Sequence, residues 1–162
     1  MTISKGDHLP DGSFLEPGPE GPREVSSGAL FGGRKVVVFG LPGAFTRVCS
    51  ADHLPSFIRT AAAFREKGVE DIVCLAVNDP FVLKAWDDAT GATRGGVRLL
   101  GDPSGSFVRA LGLAMDDVAA VGLYGRSRRF AMLVEDGVVT ALNIEPDRGC
   151  SISAGETFLE SI

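Results

Sequence analysis

Residues 35–50 read KVVVFGLPGAFTRVCS, and their two halves decide the fold. After Lys35 the first half, to Leu41, is a continuous β-branched and aromatic run with no polar interruption. A strand with one wet face would alternate apolar and polar residues. An unbroken run predicts a strand covered on both faces, as in a sheet with helices above and below it. Pro42 and Gly43 end the strand. From Ser50 the period changes: Leu54, Phe57, Ile58, Ala61 and Phe64 recur at three and four residues. That spacing predicts the buried stripe of a helix that runs to Gly68, with Pro55 bending it near its start. Cys49 falls at the entrance of this helix.

The same pattern continues outward. DIVCLAV at 71–77 reads as a second buried strand. Asp79 is placed to cap a helix with Pro80 at its first position, carrying Phe81, Val82, Ala85 and Trp86. Val97–Leu100 predicts a short strand and Ser106–Leu111 a short helix. Arg129–Ile144 holds two β-rich runs around Asp136-Gly137, a hairpin signal. Ser153 and Glu156 have the spacing of a capping box for a last helix. Residues 10–23, dense in Gly, Pro, Glu and Asp, read as an irregular leader or a turn-broken hairpin. The order strand, helix, strand, helix, strand, helix, hairpin, helix predicts an α/β protein with a central mixed β-sheet flanked by helices. With 162 residues and no repeat or linker, residues 1–162 are expected to form a single domain.

Composition sets the chemical limits. Hydrophobic residues make up 44% and charged residues 23%, which suits a packed core. Sixteen Lys and Arg against 21 Asp and Glu leave a net charge of −5, which argues against nonspecific attraction to nucleic acid or anionic membranes. Any anion site must be a local exception. No segment is apolar enough to span a bilayer, and MTISKGDHLPDGSF has no signal-peptide pattern, so a cytoplasmic location is expected. The glycines of GALFGG lack dinucleotide-binding spacing, and no Walker motif occurs. Cys49 and His53 are four apart, but the chain has two His and no CxxC, so neither metal nor cofactor is expected.

Three cysteines cannot all pair within one chain, and in a reducing compartment an exposed one is more often reactive than structural. Cys49 has the best position for reactivity. Unpaired N–H groups and the dipole at a helix start stabilise a thiolate, the reactive form. Thr46 precedes Cys49 by one helical turn, so its hydroxyl is within reach of the sulfur or of an oxygen bound to it. Pro42 stiffens the approach and shields the sulfur, and Arg47 adds positive charge beside it. The plain alternative is that Cys49 is a small core residue and Thr46 merely a cap.

Pro42, Thr46 and Cys49 reproduce the Pro-x-x-x-Thr-x-x-Cys motif of peroxiredoxins, and PGAFT resembles the form used by their type II (type 5) subgroup. The resemblance continues through HLPSF, VNDPFVLKAW, RSRRFAMLVEDG and ALNIE, covering nearly the whole chain in order. Arg47 departs from it, standing where the family often has a second proline. The resemblance implies a thioredoxin-like fold and a thiol peroxidase that reduces hydrogen peroxide and organic hydroperoxides at Cys49 through a sulfenic acid. By its place in RSRRF, Arg129 corresponds to the family's active-site arginine, and Arg126 and Arg128 read as solvated or salt-bridged surface residues. Thr46 and Arg129 would bind the reacting oxygens and Pro42 would shape the pocket. The backbone N–H groups of Cys49 and Gly43 would assist, with Phe45 and His53 also facing substrate.

Two cysteines are candidates to resolve the sulfenic acid. Cys74 matches the position used by plant members but lies in a predicted buried strand. Cys150 lies where animal members carry theirs, in an expected mobile, exposed loop, and is favoured for that reason. The resemblance further implies thioredoxin, or glutaredoxin and glutathione, as reductant, and a homodimer with Phe45, Phe81 and Trp86 as candidate interface residues. Two rival readings are a noncatalytic peroxide sensor and a holdase-like interaction protein on the same scaffold.

Overall fold

The computed structural model covers residues 1–162, all described except the side chain of Cys49. Seven strands form one sheet in the order β2-β1-β5-β4-β3-β6-β7. At its centre β3 (Lys35–Gly40) runs parallel to β4 (Asp71–Ala76), and β4 parallel to β5 (Arg98–Gly101). On the other side β3 pairs antiparallel with β6 (Phe130–Glu135), and β6 with β7 (Val138–Ile144). The remaining edge is the antiparallel pair β1 (Ser13–Glu16) and β2 (Arg23–Ser26), so the Gly- and Pro-rich opening is the turn-broken hairpin. The mixed sheet agrees with the expectation.

Both faces of the sheet are covered, which is why KVVVFG is apolar at successive positions. Val37 and Phe39 point to one core with Cys74, Leu99 and Leu133, under α2 (Leu54–Glu66), α3 (Pro80–Thr90) and α5 (Gly155–Glu160). Val36 and Val38 point to the other with Val73, Leu100 and Met132, under α1 (Ser27–Phe31) and α4 (Ser106–Ala110). Phe39 stacks on Phe57 with ring centroids 4.0 Å apart, tying the central strand to α2 just below the site.

Local signals explain most element ends. Asp79 Oδ1 accepts from the N–H groups of Phe81 and Val82, both at 2.9 Å, capping α3, and Gly91 closes it with φ of 72°. The Asp136-Gly137 turn has φ of 49° and 77°, both positive as the tight hairpin requires.

Two expectations need correction. The helix does not run regularly from Ser50: residues Cys49–His53 form a π-helical turn, and α2 starts at Leu54. Pro55 therefore sits in the first turn of α2, directly after the wider π-helical turn, which accommodates the ring and the missing N–H. Nor do Ser153 and Glu156 form a capping box. Ala154 is the N-cap of α5 and provides no side-chain bond. Ser153 Oγ donates instead to Glu145 at 2.6 Å, and Glu156 pairs with Arg59 at 2.8 Å.

Candidate active site

The loop after β3 is held by groups from two distant segments. Ala44 N–H donates to Asn78 Oδ1 at 2.9 Å, and Arg126 Nη1 donates to the Pro42 carbonyl at 3.1 Å. A Cβ on Gly43 would collide with that same guanidinium unless Arg126 moved, and the φ of 153° is one that side-chain-bearing residues rarely adopt, so glycine suits the position on both counts. Thr46 Oγ1 donates to the Gly43 carbonyl at 2.7 Å, which leaves the hydroxyl oxygen as an acceptor toward the site. Ser50 N–H reaches the Thr46 carbonyl at 3.0 Å, so the chain is already helically wound at the threonine. Phe45, between these anchors, has φ of 62°, a strained value for a non-glycine residue that the surrounding bonds maintain. Pro42, Gly43 and Ala44 are buried, while Phe45 is exposed.

Arg129 stands immediately before β6 and is 4% exposed. Its Nη1 lies 3.1 Å from His53 Nδ1, and His53 Nε2 lies 3.1 Å from the Ser153 carbonyl. A guanidinium can only donate and a carbonyl can only accept, so both bonds form only when the imidazole is neutral and carries its proton on Nε2. Burial, with the Arg129 charge adding to it, pushes the His53 pKa down to about 3, consistent with that neutral form. His53 is fully buried beneath the guanidinium, which makes it a support for Arg129. Pro42 and Arg129 line a cleft of about 440 Å³ together with the 114–118 segment, Arg128 and the 145–148 turn.

The other arginines are not the solvated or salt-bridged surface residues expected. Arg126 and Arg128 are half-buried and hold backbone, Arg126 on Pro42 and Arg128 on the Glu145 carbonyl at 3.1 Å. Three basic side chains within four residues, Arg126, Arg128 and Arg129, supply the local positive exception that the acidic chain required.

The thiol proposed as nucleophile, Cys49, lies outside the described residues as regards its side chain; its backbone opens the π-helical turn. Cys74 is 1% exposed in β4, its backbone between Phe39 and Leu99, as its strand position predicted. Cys150 is half-buried, next to Ser151, whose N–H and hydroxyl donate to Glu145, and the expectation of an exposed position is corrected. Burial is the main force that pushes its pKa up to about 11, opposed by the Arg129 charge, which places Cys150 within electrostatic reach of the site. Trp86 is fully buried, its Nε1 donating to Ser50 Oγ at 2.9 Å, so it cannot contribute to an interface. Phe45 and Phe81 are 56% and 73% exposed.

Sequence reasoning did not find Asn78, Arg126, Glu145 or Ser153 as site supports. Asn78 and Glu145 lay inside the quoted stretches VNDPFVLKAW and ALNIE, but nothing local marks an amide or carboxylate that acts on another segment. Among the described residues, no group of three His, Cys, Asp or Glu is arranged to hold a metal ion.

Comparison with known proteins agrees with this geometry. The Redoxin family model matches residues 4–159. Peroxiredoxin-2C of Oryza sativa subsp. japonica is 43% identical, over 99% of this chain and 98% of its own. Reduced Prx3 from Vibrio vulnificus, solved in complex with hydrogen peroxide, superposes with a TM-score of 0.91 at 41% identity, covering 99% of both chains. Peroxiredoxin 5 from Alvinella pompejana gives 0.82 at 35% identity, covering 98% of this chain and 97% of its own. The chain belongs to the Redoxin family and is a peroxiredoxin of the type II group, a thiol-dependent peroxidase with the thioredoxin-like fold.

Proposed function

We propose that Cys49 is the peroxidatic nucleophile and that Thr46 and Arg129 bind the two peroxide oxygens, with Pro42 shaping the pocket. The observation that carries this reading is the buried Arg129 guanidinium, held by neutral His53 in the lining of a cleft shared with Pro42. The thiolate sulfur attacks one peroxide oxygen, an S–O bond forms and the O–O bond breaks. Sulfur is oxidised to sulfenic acid, and the leaving oxygen takes up a proton and departs as water or an alcohol. Negative charge builds on the leaving oxygen, where an always-protonated guanidinium stabilises it. Thr46 Oγ1, already donating to Gly43, accepts the peroxide O–H and orients the other oxygen. The N–H groups of Gly43 and Cys49 line the same loop, with Phe45 beside them.

Cys150 then resolves the sulfenic acid: its thiol sulfur forms the disulfide with Cys49 and water leaves. Its partial exposure supports Cys150 over Cys74, which is buried within the sheet. Thioredoxin, or glutathione with glutaredoxin, returns the disulfide to two thiols in the cytoplasm. The active form is a homodimer in which a second copy covers Phe45 and Phe81, large apolar side chains otherwise left in water. Stopped-flow mixing with hydrogen peroxide tests the reading. Cys49→Ser is expected to abolish turnover with every reductant, and turnover that persists would reject Cys49. Peptide mapping after one equivalent of peroxide is expected to recover a Cys49–Cys150 bond. A Cys49–Cys74 bond, or a glutathione adduct alone, would reject Cys150.

A further inference from the structure

Glu145 is a buried carboxylate that the chemistry above does not use. It follows β7, is 1% exposed, and accepts four hydrogen bonds from one short turn. Its Oε2 takes Ser151 N–H at 2.8 Å, Ser153 N–H at 2.7 Å and Ser153 Oγ–H at 2.6 Å, and Oε1 takes Ser151 Oγ–H at 3.0 Å. Its backbone is fixed as well: Glu145 N–H donates to the Arg129 carbonyl at 2.9 Å, and Arg128 holds the Glu145 carbonyl. Burial opposes ionisation here, but the Ser153 and Ser151 bonds outweigh it and hold the carboxyl below its ordinary pKa. The turn so fixed ends at the Ser153 carbonyl, which meets His53, which meets Arg129.

We infer that Glu145 is a positioning residue for the peroxide-binding arginine, acting through the Ser153 carbonyl and the His53 imidazole. This rests on the reading of Arg129 given above. The connection has a chemical direction. Every donor at Glu145 needs an acceptor lone pair: three of the four bonds fall on Oε2 and one on Oε1, so a glutamine that places its oxygen at the Oε2 position keeps three bonds to a weaker, uncharged acceptor and sets its NH2 against the Ser151 hydroxyl, and the turn is held less firmly. A displaced Ser153 carbonyl no longer requires the proton on His53 Nε2, and Nδ1 loses its assignment as acceptor. The guanidinium then loses the contact that sets its angle to the cleft. Misplacement of a catalytic group by about 1 Å can cost about 100-fold in rate, so a residue that never touches peroxide can govern the reaction.

The test uses the full chain and compares wild type, Glu145→Gln, Ser153→Ala, Arg129→Ala and Glu156→Gln. The last removes only the Arg59 pair on α5, outside the relay. Glu145→Gln is expected to lower the second-order rate constant with hydrogen peroxide by about 10- to 100-fold. Alkylation of Cys49 by iodoacetamide, which needs no oxygen-binding donor, should change by less than about threefold. Nitrogen NMR of the His53 ring should show the neutral Nε2-protonated tautomer in wild type, a mixture in Glu145→Gln, and the wild-type pattern in Glu156→Gln. A folded Glu145→Gln within about twofold of wild type in its peroxide reaction overturns the inference. So does an Nδ1-protonated or charged His53 in wild type at neutral pH, a result that stands even if Glu145→Gln does not fold. Ser153→Ala, which keeps the carbonyl and loses one of the four bonds, should give an intermediate loss. If Arg129→Ala reacts with peroxide as wild type does, the underlying reading of Arg129 fails. If Arg129→Ala is crippled and Glu145→Gln is not, the relay alone fails.

Discussion

Arg129 Nη1 donates to His53 Nδ1 across 3.1 Å, so a permanent cation rests against an imidazole that must stay neutral. The pairing is stable only because burial and the arginine charge both act against protonation, bringing the His53 pKa from 6.5 to about 3. In the unfolded chain His53 binds its proton near pH 6.5, so between about pH 6.5 and 3 the unfolded state holds the extra proton. Stability attributable to this residue is therefore complete above about pH 6.5 and falls as the pH drops toward 3, by at most about 1.4 kcal/mol per pH unit. Urea denaturation from pH 7 to 4 measures it. His53→Asn should be less stable at neutral pH and show a shallower acid slope, and equal slopes would reject the assignment.

Gly43 and Arg126 make a second dependence. A methyl group at Gly43 meets the guanidinium that holds the Pro42 carbonyl, and the residue has φ of 153°. Gly43→Ala should destabilise the protein by about 1–3 kcal/mol, through overpacking, and slow the peroxide reaction by moving the loop before Thr46. Arg126→Ala removes the obstruction and the bond together. Combined with Gly43→Ala it should cost less than the sum of the two single changes, a coupling that thermal melts resolve.

These dependencies show which parts of the molecule could be read from the chain. The strand at Lys35, the Asp79 cap and the Asp136-Gly137 turn were legible because their causes lie within a few residues: a run buried on both faces, an oxygen two or three residues from the N–H groups it caps, two positive φ angles. Pro42 and Thr46 were suggested by their places before Cys49, whereas Arg129 was legible only through the family motif. The supports were not, because His53 and Ser153 are 100 residues apart and Pro42 and Arg126 84. Ser153 misled for the same reason: its spacing to Glu156 suits a cap, but a buried carboxylate eight residues before it is the stronger acceptor. The π-helical turn at Cys49–His53 was hidden because periodicity sees the stripe from Leu54 onward and not how the helix begins.

Cys150 should behave as a poor nucleophile until it is needed. With its pKa near 11, it is almost wholly protonated at neutral pH. In Cys49→Ser, alkylation of Cys150 by iodoacetamide should rise about tenfold per pH unit and level off only near pH 11, followed by mass spectrometry of the C-terminal peptide. A plateau near pH 8.5 would mean that the burial described for this thiol does not persist in solution.

Asp79 tests fold energetics without the chemistry. Asp79→Ala removes the acceptor for two N–H groups at the start of α3 and should cost about 1 kcal/mol, read by urea denaturation. The peroxide rate should stay near wild type, since Asp79 contacts neither Arg129 nor the Pro42 loop. A large kinetic effect would show that α3, whose Trp86 holds Ser50, transmits strain to the π-helical turn.

Phe45 and Phe81 bear on assembly. Phe45 sits in the site loop with a positive φ, and Phe81 at the first turn of α3, each more than half exposed. Burying one phenylalanine side chain contributes about 1.5–3 kcal/mol, enough that a charge in its place should shift a dimer of moderate affinity to monomer. Wild type is expected to sediment as a dimer at micromolar concentration, and Phe81→Asp as a monomer with its far-ultraviolet spectrum intact. Because Phe45 shares its loop with Thr46, Phe45→Ser should also lower the peroxide rate, whereas Phe81→Asp should lower it only as far as dimerisation orders that loop. A wild-type chain that sediments as a monomer at every concentration would leave these side chains in water and remove the dimer from the proposal.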